Sequence, residues 1–203
     1  MKDIVFLVAD GTMENFFDGL LPRIPTVSQT SEFTYDILVN PTHDAGNLNE
    51  SHEFLRPFAR QYKHAIVVFD HEGCGGDGKG IQELEASVQV LLDRNGWENR
   101  SSVLIIDPEL ENWVWTGSPR IKEIINWKYE EEIVDWVAAK DYTFNVVGKP
   151  IRPKEAFEAV LRRAGTPRSS SIYKKIASQV SYKKCTDTAF LKLIEQIKFW
   201  FPN

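Results

Sequence analysis

The sequence predicts an α/β fold built on a parallel β-sheet, and three observations support this prediction. The chain of 203 residues is 42% hydrophobic and 26% charged, which suits one folded domain with a small appendage. Short runs rich in Ile, Val and Phe alternate in the first half with stretches of helical periodicity. Strand–helix repetition with short connections is typical of a parallel sheet with helices on both faces.

Four segments have the composition of buried parallel strands, because each is short, apolar and bounded by polar or turn residues. They are Asp3–Ala9, Thr34–Val39, Ala65–Asp70 and Ser102–Asp107. No apolar run approaches the ~20 residues that a membrane helix needs. The first apolar stretch is too short for a signal sequence. We therefore expect a cytoplasmic protein without a membrane partner.

Helical periodicity predicts helices between and after these strands. Thr12–Leu21 has one apolar face and a candidate N-cap at Thr12, and Ile81–Leu92 precedes the C-cap signal Asn95-Gly96. Beyond the fourth strand the periodicity predicts helices at about 119–139, 153–164, 171–180 and 187–200. These patterns divide the chain into a core, residues 1–117, and a helical C-terminal extension, residues 118–203.

The two parts of the chain differ strongly in charge. Residues 1–147 contain 12 basic and 25 acidic residues, a net charge of −13, whereas residues 148–203 contain 12 basic and 4 acidic residues, a net charge of +8. A basic segment of this kind either binds phosphates or docks on the acidic body of its own chain. The candidate nucleic-acid-binding residues are Lys149, Arg152, Arg162, Arg163 and Arg168.

Tryptophans and an apolar stripe mark expected packing surfaces in the second half. Trp113, Trp115, Trp127 and Trp136 lie within 24 residues, and side chains of this size usually fill a core or an interface. The last predicted helix has apolar residues at helical spacing from Phe190 to Trp200. We expect this stripe to pack on the domain.

Acidic residues follow three of the predicted strands at their carboxyl ends. They are Asp10 and Glu14, Asp70 and Glu72, and Glu109 and Glu111. In an open parallel sheet the ligand crevice lies outside these ends, so the carboxylates should converge. Grouped carboxylates with no Lys or Arg beside them repel each other, and a divalent cation relieves the repulsion. Hard oxygen ligands favour Mg²⁺ or Mn²⁺, which also bridge to substrate phosphates.

The order of these motifs resembles the Toprim fold. The motifs are Asp10-Gly11-Thr12-Met13-Glu14, Asp70-His71-Glu72 and Pro108-Glu109-Leu110-Glu111-Asn112-Trp113. More narrowly, the chain is similar to a bacterial Toprim-like family of unknown function related to the nuclease domain of overcoming-lysogenization-defect proteins. The tail fits that family through Lys149-Pro150 and Tyr173-Lys174-Lys175-Ile176-Ala177. Small proteins of this type also resemble components of phage-defence islands, including methylation-associated defence systems.

The resemblance implies a Toprim-like, metal-binding core that cleaves phosphodiesters of DNA or RNA in a prokaryotic antiviral defence system, together with other proteins of that system. Asp10, Glu14 and Asp70 would be catalytic, with Asp10 as the general acid/base. The same three residues would hold Mg²⁺ or Mn²⁺ with Glu72, Glu109 and Glu111.

Two departures from the family pattern keep other functions open. The family usually has Glu in place of Asp10 and Asp-x-Asp in place of Asp70-His71-Glu72. An Asp in place of Glu shortens the side chain by one methylene, and a misplacement of ~1 Å costs about a hundredfold in rate. A non-catalytic interaction or regulatory subunit with a degenerate site is therefore the main alternative. A phosphate-ester hydrolase acting on small molecules is a third.

Overall fold

A four-stranded parallel sheet forms the centre of the computed structural model, which describes residues 1–76, 78–183 and 185–203. The strands are β1 (Lys2–Val8), β2 (Tyr35–Val39), β3 (Tyr62–Asp70) and β4 (Ser101–Ile106), in the order β2-β1-β3-β4. Phe6 in β1 pairs with Ile37 on one side and Ile66 on the other. The predicted α/β class is confirmed, and the predicted strand boundaries agree to within three residues.

Helices cover both faces of the sheet and build the C-terminal extension. The core contains α1 (Gly11–Leu20), α2 (Ile24–Ser28), α3 (His43–Asn49), α4 (Ser51–Leu55) and α5 (Ile81–Leu92). The extension contains α6 (Arg120–Ile124), α7 (Ile133–Ala138), α8 (Pro153–Ala164), α9 (Ser170–Gln179) and α10 (Thr188–Trp200). Because crossovers between parallel strands are right-handed, α1 lies on the face opposite α3 and α5. Among the described residues, no helix is long and apolar enough to cross a membrane.

Two details of the predicted helices are wrong. Asp10, not Thr12, caps α1, since its side chain accepts a hydrogen bond from the Met13 backbone N–H at 2.7 Å. The single helix predicted at 119–139 is the pair α6 and α7. It is interrupted at Asn126, which adopts a left-handed conformation with φ 60° while the Trp127 N–H bonds back to the Lys122 carbonyl. This is a Schellman-type helix end, and asparagine tolerates it well.

An aromatic cluster joins the core to the extension, and Trp113 lies at its centre. The Trp113 side chain is fully buried and packs against Phe16 and Phe17 of α1 and against Phe190 of α10. On α10, Leu193 and Ile197 are also buried, as the predicted apolar stripe requires. Aromatic pairs of this kind contribute about 0.5–1.5 kcal/mol each beyond the area they bury.

The basic extension docks on the acidic body through α9 and α1. Lys174 of α9 forms an ion pair with Asp18 of α1, and Arg23 Nη1 donates a hydrogen bond to the Ala177 carbonyl at 2.6 Å. The two helices approach closely at Gly19, where an added Cβ would lie 2.3 Å from the Lys174 carbonyl oxygen. Only a glycine fits at this position without moving the α9 backbone.

We predict that Gly19→Ala destabilises the protein by forcing α9 away from α1. Overpacking of this kind costs about 1–3 kcal/mol, and each kcal/mol lowers the Tm by about 2–4 °C in a chain of this size. Gly11→Ala in the same helix is the matched control, because its Cβ would meet no atom within 4 Å. Thermal unfolding monitored by circular dichroism checks the prediction. Equal Tm values for the two variants would contradict the close approach.

Candidate metal and nucleic-acid site

Acidic side chains from three strand ends surround Asp70, the last residue of β3. Burial raises the pKa of the Asp70 carboxyl well above its ordinary value, and the neighbouring carboxylates of Asp44, Glu111, Glu109 and Asp10 raise it further. Asp70 Oδ1 is buried and has no hydrogen-bond partner among the described residues. An unpaired buried carboxylate oxygen is costly, so this position favours a proton or a cation.

Asp44 belongs to this acidic group, although the sequence analysis did not select it. It lies in the first turn of α3, and its Oδ1 accepts a hydrogen bond from the Asp70 backbone N–H at 2.8 Å. Burial raises the pKa of Asp44, and the charge of Asp10 adds to the effect. The available signal was position, because Asp44 follows the carboxyl end of β2, where the chain turns into α3.

Two buried asparagines hold α3 in place against the sheet. Asn47 Nδ2 donates to the Val68 carbonyl of β3 at 2.9 Å, and Asn47 Oδ1 accepts from Asn40 Nδ2 at 2.9 Å. His43 takes a left-handed backbone conformation, and its Nδ1 lies 3.2 Å from the Ala9 carbonyl oxygen. These contacts set the position of Asp44 beside Asp70.

Glu109 is bound by the N-terminus of α8. Its Oε1 accepts a hydrogen bond from the Lys154 backbone N–H at 3.0 Å, and its Oε2 lies 3.7 Å from Lys154 Nζ. Burial and the nearby Glu111 charge raise the pKa of Glu109 despite these favourable contacts. In turn, the Glu111 and Glu109 charges raise the pKa of Lys154 against the opposing effect of its burial.

Glu111 is bound by side chains of the extension. The hydroxyl of Tyr173 donates to Glu111 Oε1 at 2.5 Å, and Arg168 Nη2 lies 3.4 Å from the same oxygen. Burial and the Glu111 charge raise the pKa of Tyr173. Lys154 and Arg168 therefore stand beside these acids, contrary to the expectation of a carboxylate group without basic neighbours.

Glu14 and Glu72 lie at the margins of the acidic group. Glu14 is half-buried and lines an open cleft with Asp18 and Asp36 along β2. Glu72 is exposed, and its charge contributes to the raised pKa of Glu109. The structure therefore brings Asp10, Asp70, Glu109 and Glu111 together, with Glu72 close to Glu109, whereas Glu14 lines a different cleft.

We call the carboxyl ends of the strands, with Asp10, Asp44, Asp70, Glu109 and Glu111, the acidic edge. The oxygen atoms of this edge fit a hard divalent cation at Asp70 better than at Glu109 or Glu111. In the part of the chain that the structure describes, no three His, Cys, Asp or Glu side chains are already spaced to hold a metal ion. Glu109 and Glu111 bind protein donors, whereas Asp70 Oδ1 binds none of the described groups. Oxygen donors are those that Mg²⁺ and Mn²⁺ prefer. Asp10 and Asp44 each use one carboxylate oxygen to accept a backbone N–H, which leaves their second oxygens and Asp70 Oδ1 as the available oxygen donors among the described residues.

The predicted nucleic-acid-binding residues occupy three different environments. Lys149 is buried and donates to the Asn112 carbonyl at 2.8 Å. Arg163 stacks on Tyr129, with its guanidinium carbon 3.8 Å from the ring centroid, and Arg168 binds Glu111. The Arg152 and Arg162 side chains are 63% and 70% exposed and pair with Glu155 and Glu158 of α8. Those two arginines are the most accessible to a phosphate backbone.

Comparisons with known proteins do not assign the chain to a family. No family model matches it, and neither the search of curated proteins nor the search of solved structures finds a match. The interpretation of the site therefore depends on the chemistry of its own residues and on the motif resemblance.

We predict that Asp70→Asn stabilises the metal-free protein at neutral pH. When the pKa of a carboxyl is raised in the folded state, the folded protein loses stability as the pH rises. The loss occurs between the unfolded-state pKa, near 3.8, and the raised folded-state pKa. The amide removes the charge, so the Tm of the variant should rise by about 2–4 °C per kcal/mol of repulsion relieved. Thermal unfolding in EDTA between pH 4 and pH 8 measures both the rise and the flatter pH profile.

Asp36→Asn is the matched control with the opposite sign. Hydrogen bonds from Lys2 and Tyr62 lower the pKa of Asp36, so its charge contributes stability that is present above the ordinary carboxyl pKa and is lost at lower pH. This variant should lower the Tm at neutral pH. If Asp70→Asn also lowers it, carboxylate repulsion does not dominate at Asp70.

Proposed function

We propose that the chain is a metal-dependent, Toprim-like nuclease that acts on phosphodiesters of DNA or RNA at the carboxyl edge of the sheet. The observation that carries this proposal is the buried, unpartnered Oδ1 of Asp70 beside the carboxylates of Asp10 and Asp44. In this arrangement the negative charge exceeds what the described protein groups neutralise, and a divalent cation would compensate for it.

Asp10, Asp44 and Asp70 would hold Mg²⁺ or Mn²⁺ at this edge. Such an ion, when bound, lowers the pKa of attacking water and neutralises charge on the scissile phosphate. Asp10 is already oriented, because its Oδ1 accepts the Met13 N–H at the start of α1. The general acid/base role that the motif resemblance assigns to Asp10 would use the other carboxylate oxygen.

The direction of α8 suggests a path for the nucleic acid. Its first turn contacts Glu109 through Lys154, and its 12 residues extend about 18 Å away from the acidic edge. Arg152 precedes the helix and Arg162 lies in its last turn, both with exposed side chains. A phosphate backbone entering the site could therefore meet positive charge along this helix.

A role in prokaryotic antiviral defence is proposed on the motif resemblance alone. The chain would act in the cytoplasm with other proteins of the defence system. Loss of phage protection when the acidic edge is mutated in the assembled system would support this assignment.

A non-catalytic interaction or regulatory subunit is the second candidate, and a specific observation favours it. Glu109 and Glu111, which the motif resemblance assigns to the metal site, bind Lys154, Tyr173 and Arg168 instead. A site with two of its acids engaged in this way could bind nucleic acid or a partner protein without cleaving it.

We predict that Mn²⁺ raises the Tm of the wild-type protein and supports cleavage of DNA or RNA in the presence of its native partner proteins. Asp70→Asn should abolish the Mn²⁺-dependent rise in Tm and reduce cleavage at least about a hundredfold, because each 1.36 kcal/mol of lost transition-state stabilisation is tenfold in rate. Differential scanning fluorimetry and a gel assay with chelator controls measure these effects.

The matched control is Asp135→Asn, which removes an exposed carboxylate on α7 that does not contribute to the raised pKa values of Asp70, Asp44 or Glu109. It should behave as the wild type does in both assays. An unchanged Mn²⁺ response in Asp70→Asn would disprove the metal site. Two results together would favour the non-catalytic subunit. The first is a wild-type protein whose Tm rises with Mn²⁺ but which cleaves no nucleic acid, and the second is phage protection that survives Asp10→Ala.

We predict that replacing the two exposed arginines of the α8 region weakens nucleic-acid binding in a salt-dependent manner. Affinity for duplex DNA falls by about 0.9 log units per log unit of salt for each phosphate neutralised. Arg152→Gln with Arg162→Gln should therefore reduce this slope by about 1.8. Fluorescence anisotropy titrations at salt concentrations from about 50 to about 200 mM measure the slope, because electrostatic affinity falls steeply over this range.

The control for charge alone is Arg56→Gln with Arg60→Gln. These exposed arginines lie just before β3, at the amino-terminal ends of the strands and therefore at the end of the sheet opposite to the acidic residues. The slope should stay unchanged in this double variant. If both double variants lose the same affinity, the protein binds nucleic acid without a defined path.

A further inference from the structure

A cavity of about 460 Å³ lies beside β4 and is lined by side chains outside the acidic group around Asp70. Its walls come from the start of α5, the segment after β4, the turn before α8 and the N-terminus of α10. The polar lining includes Gln82, Asn112, Asn145, Lys149, Asp187 and Thr188. Its volume lies within the range of about 300–1,000 Å³ that is typical of small-molecule sites.

Lys149 places a buried positive charge on the wall of this cavity. The residue is only 9% exposed, and its ammonium donates one hydrogen bond, to the Asn112 carbonyl oxygen at 2.8 Å. It forms no ion pair with any residue that the structure describes. Lysine is almost never buried without a charged partner, and an ammonium has three donors. The geometry therefore leaves donors for an anionic group in the cavity.

Asp187 stands on the same wall, but its oxygens already have partners. They accept hydrogen bonds from Asn112 Nδ2 at 2.7 Å, from Trp113 Nε1 at 2.8 Å and from the Phe190 backbone N–H at 3.1 Å. Asp187 thus caps α10 and fixes the position of Asn112. Its carboxylate does not occupy the donors of Lys149.

The remaining charges limit how much negative charge a ligand can carry. Lys192 pairs with Glu85 at 2.7 Å, and Asp107 lies 3.1 Å from His71 Nδ1. With these pairs formed, Lys149 is the positive charge left to a ligand among the described lining residues. The carboxylates of Asp107 and Asp187 also line the cavity and repel a ligand in proportion to its negative charge, so a single phosphate is favoured over a di- or triphosphate.

The rest of the lining suits a planar heterocycle. Ile81, Ile105 and Val147 provide aliphatic surface. Asn145 Oδ1 accepts the backbone N–H groups of Val147 and Lys149, which leaves its amide nitrogen free to donate towards a ligand. Amide side chains form paired hydrogen bonds with base edges.

We propose that this cavity binds a nucleoside monophosphate unit, with its phosphate at Lys149 and its base between the aliphatic wall and the amide side chains. The unit is either a free mononucleotide or the terminal nucleotide of a single strand. The proposal does not depend on metal-dependent cleavage, because the residues around Asp70 do not take part in it.

Isothermal titration calorimetry in EDTA tests the proposal with AMP, GMP, CMP and UMP, and with a single-stranded oligonucleotide carrying a 5′-phosphate. At least one mononucleotide should bind the wild type. Lys149→Met should weaken that binding at least tenfold, which is about 1.4 kcal/mol. Lys175→Met, which removes an exposed lysine of α9, is the matched control and should bind as the wild type does.

A second variant keeps the test decisive if Lys149→Met does not fold. Gln82 is exposed at the start of α5, so Gln82→Trp should fill the cavity without burying a new charge and should abolish binding. Competition by the oligonucleotide would identify a strand terminus as the ligand, and binding of mononucleotides alone would identify a free nucleotide. Absence of binding by every probe, or undiminished binding in Gln82→Trp, would overturn the proposal. Asp70→Asn should bind as the wild type does, which separates this outcome from that of the metal site.

Discussion

The acidic carboxyl edge of the sheet depends on charge complementarity with the basic C-terminal extension. Glu109 accepts the first-turn N–H of α8, and Glu111 accepts the Tyr173 hydroxyl next to Arg168. Glu109 and Glu111 already raise the pKa of Asp70 with these partners in place, so loss of the partners would strengthen the repulsion there. Buried ion pairs contribute little net stability when intact, but removing one partner leaves an uncompensated charge and is strongly destabilising. The extension is therefore part of the site as well as of the fold.

The same interactions divide the acidic residues into two groups. Asp10, Asp44 and Asp70 lie at the carboxyl ends of β1, β2 and β3, where the buried Asn47 anchors α3 to β3 and Asp44 accepts the Asp70 backbone N–H. Glu109 and Glu111 come from the segment after β4 and face α8 and α9. Among the described residues, no basic side chain forms an ion pair with the first group, whereas Lys154 and Arg168 compensate part of the charge of the second.

Much of the fold could be predicted from the sequence, because buried parallel strands have an unmistakable composition. Composition and periodicity alone predict all four strands and five of the helices, namely α1, α5, α8, α9 and α10. The interruption at Asn126 could not be predicted in this way, since it depends on one left-handed residue within a helical pattern. At the site, strand-end acids were identifiable from position, and Asp44 could have been found in the same way because it follows β2, whereas Lys154 and Tyr173 could not. Their roles arise from packing between segments that lie far apart in the sequence.

Two kinds of phosphate recognition could then operate on neighbouring sides of the segment after β4. Glu109 and Glu111 turn towards α8 and α9, whereas Asp107 and Asn112 of the same segment line the cavity that contains Lys149. The segment from Asp107 to Asn112 therefore lies between two different environments. On one side, the acidic edge would require a cation before a phosphate could approach. On the other side, the buried lysine of the cavity could contact a phosphate directly. A phosphate held at Lys149 would have its charge balanced by the buried ammonium, on the side of the segment away from Glu109 and Glu111.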